Sequence, residues 1–217
     1  MNSKNAFWQA FVFAVIVFAV GMIFGFFLEV KQNENIFSRL VDSEINILDN
    51  QLRTRIVEDF EVGCDFAKES LFKFADNVYF EAVELEEFDT DGRLSDLTTL
   101  HKRYDLLRTL LWVEAKELNK ECAESFDILV YLYEYKSEDA GVKAKQDFYS
   151  KLLFDIKSEM SEDVLLIPIA VDTGLSSIEL ITKTKGIDKF PVILINDGTE
   201  IYEVLTLDEF RELFNSV

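Results

Sequence analysis

The sequence predicts a mixed α/β protein that begins with a membrane-spanning helix, continues through a helical hairpin and ends in a β-α-β-α-β-β-α domain. Three observations predict this class. Residues 5–28 carry no charge. Residues 36–122 repeat apolar side chains at three- and four-residue steps, which is typical of amphipathic helices. After Glu124 the pattern changes to short apolar runs separated by turn residues, which is typical of strands. We therefore divide the chain into 1–30, 31–123 and 124–217.

Composition excludes several classes of function. The 217 residues include 41 Asp and Glu against 22 Lys and Arg, a net charge of -19, which repels nucleic acid and anionic membrane surfaces. One His and two Cys are too few for zinc or iron–sulfur sites that need four such ligands. The sequence also holds no phosphate-binding glycine loop and no Ser-His-Asp set. We expect no nucleic-acid partner and no cofactor.

The amino-terminal apolar run is predicted to be an uncleaved signal anchor. Ala6–Leu28 is long enough, about 35 Å as a helix, to span a bilayer. A cleaved signal peptide has a shorter apolar stretch and a small-x-small site, whereas this run ends in bulky residues. A buried helix of a soluble protein is the alternative.

The short head before the apolar run favours one orientation in the membrane. A few residues followed by a large carboxyl-terminal part are typical of a signal anchor, so we expect residues 31–217 outside the cytoplasm of a single-pass cell-membrane protein. The numbers of Lys and Arg on the two sides are nearly equal and add little. Gly21 and Gly25 have the spacing that lets two helices approach closely, which leaves a homodimer open.

The middle of the chain is predicted to form an antiparallel helical hairpin. Helical periodicity breaks near Gly63 and again at Asp89–Gly92, so the two arms cover residues 64–88 and 94–122. The apolar residues that define the arms include Ala67, Leu71, Phe74 and Val78 in the first and Leu107, Leu111 and Ala115 in the second.

The turn between the two arms resembles half of an EF-hand. Glu87, Asp89 and Asp91 would supply oxygen ligands at loop positions one, three and five, with Gly92 at position six. Position twelve is Thr98 rather than the bidentate Glu that closes the loop. We therefore expect a solvated acidic turn, with weak calcium binding as the alternative.

The two cysteines stand at the open end of the predicted hairpin. Cys64 begins one arm and Cys122 ends the other, so folding about the turn brings them within one helical turn of each other. We expect a structural disulfide, which suits an oxidising compartment. Two buried thiols and a catalytic pair are the alternatives. His101 is expected to be a packed or capping side chain rather than a catalytic base.

The carboxyl-terminal part reads as alternating strands and helices. Residues 126–133 and 164–171 are buried apolar runs around a helical segment, 140–160, so they form a parallel βαβ unit. The remaining elements are a helix with a Ser176-x-x-Glu179 capping box that stops at Gly186, a hairpin of strands 191–195 and 200–205 joined by Asn196-Asp197-Gly198, and a final helix, 207–214, capped by Thr206-x-x-Glu209.

This order, together with the segment Gly186-Ile187-Asp188-Lys189-Phe190-Pro191-Val192, resembles the thioredoxin superfamily over residues 125–217. The resemblance implies that Pro191 is the cis proline of that family. It also implies a groove for an extended peptide, lined by Phe190, Pro191 and Val192. The alternative is that these three residues only form part of the core of the fold.

The chain departs from the family where the redox chemistry of thioredoxins lies. The place of Cys-x-x-Cys holds Ala140-Gly141-Val142-Lys143, and without sulfur those positions cannot exchange disulfides. An enzyme is thus not expected there, and no catalytic residue is assigned.

Three functions follow as hypotheses. The first is a redox-inactive thioredoxin-like module that binds a protein or peptide. The second is a thiol–disulfide oxidoreductase, or its accessory, using Cys64 and Cys122. The third is a structural subunit of a membrane complex that acts through the helical hairpin.

Overall fold

A computed structural model describes residues 3–59, 62–90, 97–122, 125–160 and 163–214. The chain divides into two compact units, Met1–Arg53 and Thr54–Val217. The elements in chain order are α1 (Ser3–Asp59), α2 (Cys64–Thr90), α3 (Leu97–Glu121), β1 (Asp127–Tyr133), α4 (Ala140–Met160), β2 (Val164–Ala170), α5 (Ser176–Lys185), β3 (Val192–Ile195), β4 (Thr199–Ile201) and α6 (Leu207–Phe214).

The first unit is helical and contains the apolar run. Phe7–Phe26 is 20 residues long, has a mean hydropathy of 2.4, and none of it is buried. It is therefore long and apolar enough to cross a membrane. The helix continues well beyond the predicted anchor, because no Gly or Pro interrupts residues 26–59.

Helices α2 and α3 contact each other as the predicted hairpin. The break near Gly63 is confirmed, since α1 ends at Asp59 and α2 begins at Cys64. Apolar side chains at helical spacing form the buried faces: Ala67, Leu71, Phe74, Val78 and Ala82 in α2, and Leu107, Leu111, Trp112 and Ala115 in α3. Burial of these two stripes, rather than helix propensity, stabilises the pair.

The four strands form one mixed sheet in the order β2-β1-β3-β4. Strand β1 pairs in parallel with β2, from Asp127 opposite Val164 to Tyr133 opposite Ala170. It pairs antiparallel with β3, and β3 pairs antiparallel with β4. The central strands β1 and β3 are buried on both sides, which explains their continuous runs of apolar residues.

Both faces of the sheet are covered. Helices α4 and α6 pack on one face, where Tyr149, Leu153, Ile156 and Phe210 join strand residues such as Leu129 in a single apolar cluster. The alternate strand residues point to the opposite face and are buried as well: Ile128, Val130, Leu132, Leu165, Ile167, Ile169 and Leu194. Helix α3 packs against β1 and β2 and contacts α5. The hairpin and the sheet thus belong to the same compact unit.

Strand β4 is shorter than the sequence predicts. It ends at Ile201 instead of residue 205. The next two carbonyl groups accept hydrogen bonds from α4, that of Tyr202 from Lys145 Nζ and that of Glu203 from the Tyr149 hydroxyl. These two hydrogen bonds hold residues 202 and 203 against α4, and the pairing of β4 with β3 ends at Ile201.

The predicted helix caps have different outcomes. Helix α5 begins at Ser176, but its N-cap is Leu175 and makes no side-chain capping bond, so the Ser176–Glu179 box does not form. Gly186 ends that helix as expected, in the left-handed conformation with φ of 73°. At α6 the reciprocal bonds between Thr206 and Glu209 confirm the capping box.

Candidate functional site

The segment before β3 contains the residues predicted to line a peptide groove. The Phe190–Pro191 peptide bond is cis, as expected. Phe190 is half-buried, and Pro191 is buried. Val192 is fully buried and pairs with Leu132 of β1, so it contributes main chain and core packing rather than an exposed wall. The exposed apolar surface at this place therefore comes from Phe190.

Residues 140–143, which the resemblance aligns with the Cys-x-x-Cys of thioredoxins, form the first turn of α4. The Asp139 carboxylate caps this turn, because its Oδ1 accepts the N–H groups of Gly141 at 2.7 Å and Val142 at 3.0 Å. A helix amino terminus ordinarily offers such donors to an anion. Here the chain's own carboxylate occupies them.

Lys145 joins α4 to the Pro191 segment. Its Nζ donates to the carbonyl oxygen of Pro191 at 3.5 Å and to that of Tyr202. The same ammonium lies 5.3 Å from the ring centroid of Tyr149. Burial lowers the pKa of Lys145. This side chain fixes the spacing between α4 and the loop that carries Pro191.

Tyr149 adds a second tie one turn later in α4. Its hydroxyl donates to the Glu203 carbonyl oxygen at 2.7 Å. Burial, with a smaller contribution from the Glu203 charge, raises the pKa of Tyr149 to about 12. The phenol therefore stays neutral and keeps its proton for this hydrogen bond throughout the physiological range.

The disulfide predicted between Cys64 and Cys122 is present. Their Cα atoms lie 5.6 Å apart, within the ordinary span of such bonds. The neighbouring segment is tied to the hairpin, because Lys68 Nζ donates to the Ser125 carbonyl oxygen at 3.0 Å. Phe126 packs edge-to-face on Phe72 at 5.4 Å between ring centroids. The bond therefore joins the two arms where the chain enters β1.

Two polar centres were not predicted from the sequence. Asp197, in the turn between β3 and β4, forms ion pairs with Lys116 of α3 and Lys185 of α5. Asp105 of α3 is 1% exposed and accepts the N–H of Ala170 at 3.0 Å. No local feature of the sequence distinguishes Asp105 from the solvated charges elsewhere on α3.

His101 is a packed side chain, as expected. Its ring lies 3.9 Å from that of Tyr135, centroid to centroid, in the segment after β1.

The calcium candidates fall largely outside the described part. Glu87 and Asp89 belong to the last turn of α2, but their side chains lie outside the described positions, as does Asp91 altogether. Across the described ranges, no group of three or more His, Cys, Asp or Glu residues is placed to hold a metal ion.

Together these features define a mixed α/β protein with one helix able to cross a membrane and a disulfide-linked hairpin packed on a four-stranded sheet. No protein-family model matches the chain, and no curated protein matches it.

Proposed function

We propose that this chain is a membrane-anchored, thioredoxin-like protein without redox chemistry, which binds an extended segment of a protein partner beside Pro191. The order of elements β1-α4-β2-α5-β3-β4-α6 agrees with the order of the thioredoxin superfamily. The observation that carries the proposal is Lys145, which brings the second turn of α4 against the Pro191 segment. The resemblance implies that an extended peptide binds beside this proline.

Two features support binding without catalysis. The first turn of α4 contains no sulfur. Asp139 occupies the N–H groups of that turn, so the helix terminus does not stabilise an added anion such as a thiolate. Main-chain groups and the half-buried Phe190 ring are independent of sulfur, and they suffice to bind an extended peptide.

The outer edge of β2 does not suit strand addition, which favours the Pro191 side. Asp105 occupies the N–H of Ala170, and Lys157 Nζ donates to the Val164 carbonyl oxygen at 2.9 Å. Pro168 between them has no N–H. At this edge the N–H of Ala170 and the C=O of Val164 are already hydrogen-bonded, and Pro168 offers no N–H. An added strand would therefore lack main-chain partners here.

A binding assay with two matched variants tests the groove. The full chain in lipid nanodiscs is titrated against a fluorescent unfolded polypeptide whose cysteines are alkylated. Phe190→Asp is expected to weaken binding about tenfold or more, because it places a charge against the partner's apolar surface. Phe154→Asp, at a ring that is 62% exposed on α4, is expected to leave the Kd within about twofold. Equal effects of the two variants would contradict the groove.

Insulin reduction separates binding from redox catalysis. In a glutathione buffer the nanodisc-bound chain is expected to leave the rate of insulin reduction at the buffer value. An acceleration that disappears in the Cys64→Ser/Cys122→Ser variant would instead support the oxidoreductase hypothesis.

A second candidate function rests on the surface of α2. Phe66, Tyr79 and Phe80 are 66%, 57% and 67% exposed. Large aromatic side chains in contact with solvent are typical of protein-binding surfaces. Crosslinking in native membranes tests this structural role: loss of a crosslinked partner in Phe80→Asp, with Phe190→Asp unaffected, would place the interaction on the hairpin.

We further propose that residues 31–217 lie outside the cytoplasm of a single-pass cell-membrane protein. The disulfide between Cys64 and Cys122 supports this orientation, because such bonds persist in oxidising compartments. Protease added to intact cells or spheroplasts is expected to remove this part of the chain. Complete protection until the membrane is permeabilised would contradict the orientation.

A further inference from the structure

Asp105 fastens the amino-terminal half of α3 to the sheet. Its side chain is 1% exposed, and Oδ1 accepts the N–H of Ala170, the last residue of β2, at 3.0 Å. The two residues are 65 positions apart in the chain. One buried carboxyl group therefore links the hairpin to the carboxyl end of β2.

The second oxygen of this carboxyl group lacks a partner. Within the part of the chain that the structure describes, neither Asp105 Oδ2 nor the buried hydroxyl oxygen of neighbouring Thr173 makes a hydrogen bond. An ionised carboxylate at this place is a buried charge with half of its acceptors unused, which is unfavourable. A proton on Oδ2 removes this buried charge and leaves Oδ1 to accept the N–H of Ala170.

Two charged groups act on Asp105 directly. Arg108, on α3, favours the ionised form, whereas Asp172, which follows β2, disfavours it. The main-chain bond from Ala170 and the nearby Thr173 hydroxyl group also favour ionisation. Burial is the largest effect and outweighs these contributions, so the pKa of Asp105 is raised from 3.8 to about 6.

The segment after β1 completes the surroundings. Asp172 is held in place by the N–H groups of Tyr135 and Lys136, each at 2.8 Å. The Lys136 ammonium lies 5.8 Å from the Tyr135 ring centroid, and the centroid of the His101 ring lies 3.9 Å from the same point. His101 stands one helical turn before Asp105 on α3.

The opposite end of α3 has independent attachments. The disulfide at Cys122 joins it to α2, and Asn119 Oδ1 accepts the N–H of Phe126 at 3.3 Å. Lys116 pairs with Asp197 in the turn after β3. The base of α3 therefore stays attached even when the hydrogen bond between Asp105 and Ala170 breaks.

We propose that Asp105 is an acid-strengthened latch, at which the uptake of one proton tightens the docking of the α2–α3 hairpin on the carboxyl end of β2. Because the pKa in the folded state lies above the ordinary value of 3.8, the docked state binds more protons than the released state between these two values. Docking is therefore strongest at acidic pH and weakens as the pH rises through about 6. The inference does not depend on peptide binding at Pro191.

Hydrogen exchange of the full chain in nanodiscs tests the latch. Exchange of peptides from α3 and from the end of β2 is measured at several pH values from 5.0 to 7.5 and corrected for intrinsic rates. Protection in the wild type is expected to increase about tenfold from pH 7.5 to 5.0. Asp105→Asn, which keeps an oxygen for the Ala170 N–H and carries no charge, is expected to keep the high protection at every pH.

Two further variants and one direct measurement define the outcomes. Asp155→Asn removes an exposed carboxylate and is expected to follow the wild type, and so is His101→Gln. A flat wild-type profile, or a slope that persists in Asp105→Asn, would overturn the latch, as would a slope lost in His101→Gln alone. Should Asp105→Asn not fold, carbon-13 titration of the wild-type Asp105 carboxyl decides: a midpoint near 6 supports the latch and one near 4 refutes it.

Discussion

Lys145 is the residue on which the spacing at Pro191 depends. Its ammonium satisfies the carbonyl groups of Pro191 and Tyr202, so Lys145→Met leaves both without that donor while keeping the aliphatic length. We expect a loss of about 1–2 kcal/mol in the free energy of unfolding, measured by urea denaturation. Lys143→Met, at an exposed position two residues earlier, is expected to change it by less than about 0.5 kcal/mol. Equal losses in the two variants would contradict the bridging role.

Asp197 gives a pH dependence of opposite sign to that of Asp105. Burial acts to raise the pKa of Asp197, but the ammonium groups of Lys116 and Lys185 lower it below 3.8 overall. The ion pairs therefore stabilise the fold at pH values above about 4 and are lost as the pH falls further. Asp197→Asn is expected to be less stable than the wild type at pH 7, with the difference shrinking below pH 4 in denaturant titrations. Asp76→Asn, at an exposed position on α2, serves as the control and should show no such convergence.

Two predictions at the scale of residues are confirmed. The cis peptide bond at Pro191 was implied by the resemblance to the thioredoxin superfamily, and the disulfide was predicted because both cysteines stand at the open end of the hairpin. Lys145 and Asp105 were missed because their partners lie 46 and 65 positions away, and nothing local distinguishes them from solvated charges on a helix. Val192 was assigned to a groove wall, although its side chain is fully buried in β3. The side to which a strand residue points depends on register, which one sequence does not supply.

At the scale of elements, the disulfide sets the stability of the hairpin. Cys64 and Cys122 are 58 positions apart, and closing a loop of this length contributes about 4 kcal/mol in the chain-entropy model. We expect Cys64→Ser/Cys122→Ser to lower the free energy of unfolding by about 2–4 kcal/mol, measured by thermal or urea denaturation followed by circular dichroism. Reduction of the wild type should reproduce most of that loss. A variant as stable as the oxidised wild type would show that the disulfide does not stabilise the fold.

Helix and strand order follows from periodicity, whereas element ends depend on tertiary contacts. The α4 and β2 predictions succeeded because apolar spacing and composition agree with burial over many residues. Strand β4 ends early because Lys145 and Tyr149 bind the carbonyl groups that follow it. The Ser176 box fails since α5 starts one residue earlier than such a cap requires, with Leu175 at the N-cap. Both differences arise from neighbours that periodicity does not reveal.

At the scale of the whole molecule, the boundary between the two compact units lies before α2. The sequence divides the chain at residue 124, where its period changes, but α3 packs directly on β1 and β2. The second compact unit begins at Thr54 and includes both hairpin helices. A change of hydrophobic period therefore marks a change of secondary structure, and it does not have to mark the end of a hydrophobic core.

This arrangement predicts which fragments fold. Residues 54–217 keep the disulfide, the hairpin and the sheet, so we expect a cooperative unfolding transition from this fragment in the absence of the membrane helix. Residues 124–217 lack α3, whose Leu107, Leu111 and Trp112 are each at most 4% exposed. Losing these three partners removes about 5–9 kcal/mol of burial, comparable to the whole stability of an ordinary domain. We expect this shorter fragment to show poor dispersion in its proton–nitrogen NMR spectrum and no sharp melting transition. A well-dispersed spectrum from residues 124–217 would mean that the sheet and its own three helices fold without the hairpin.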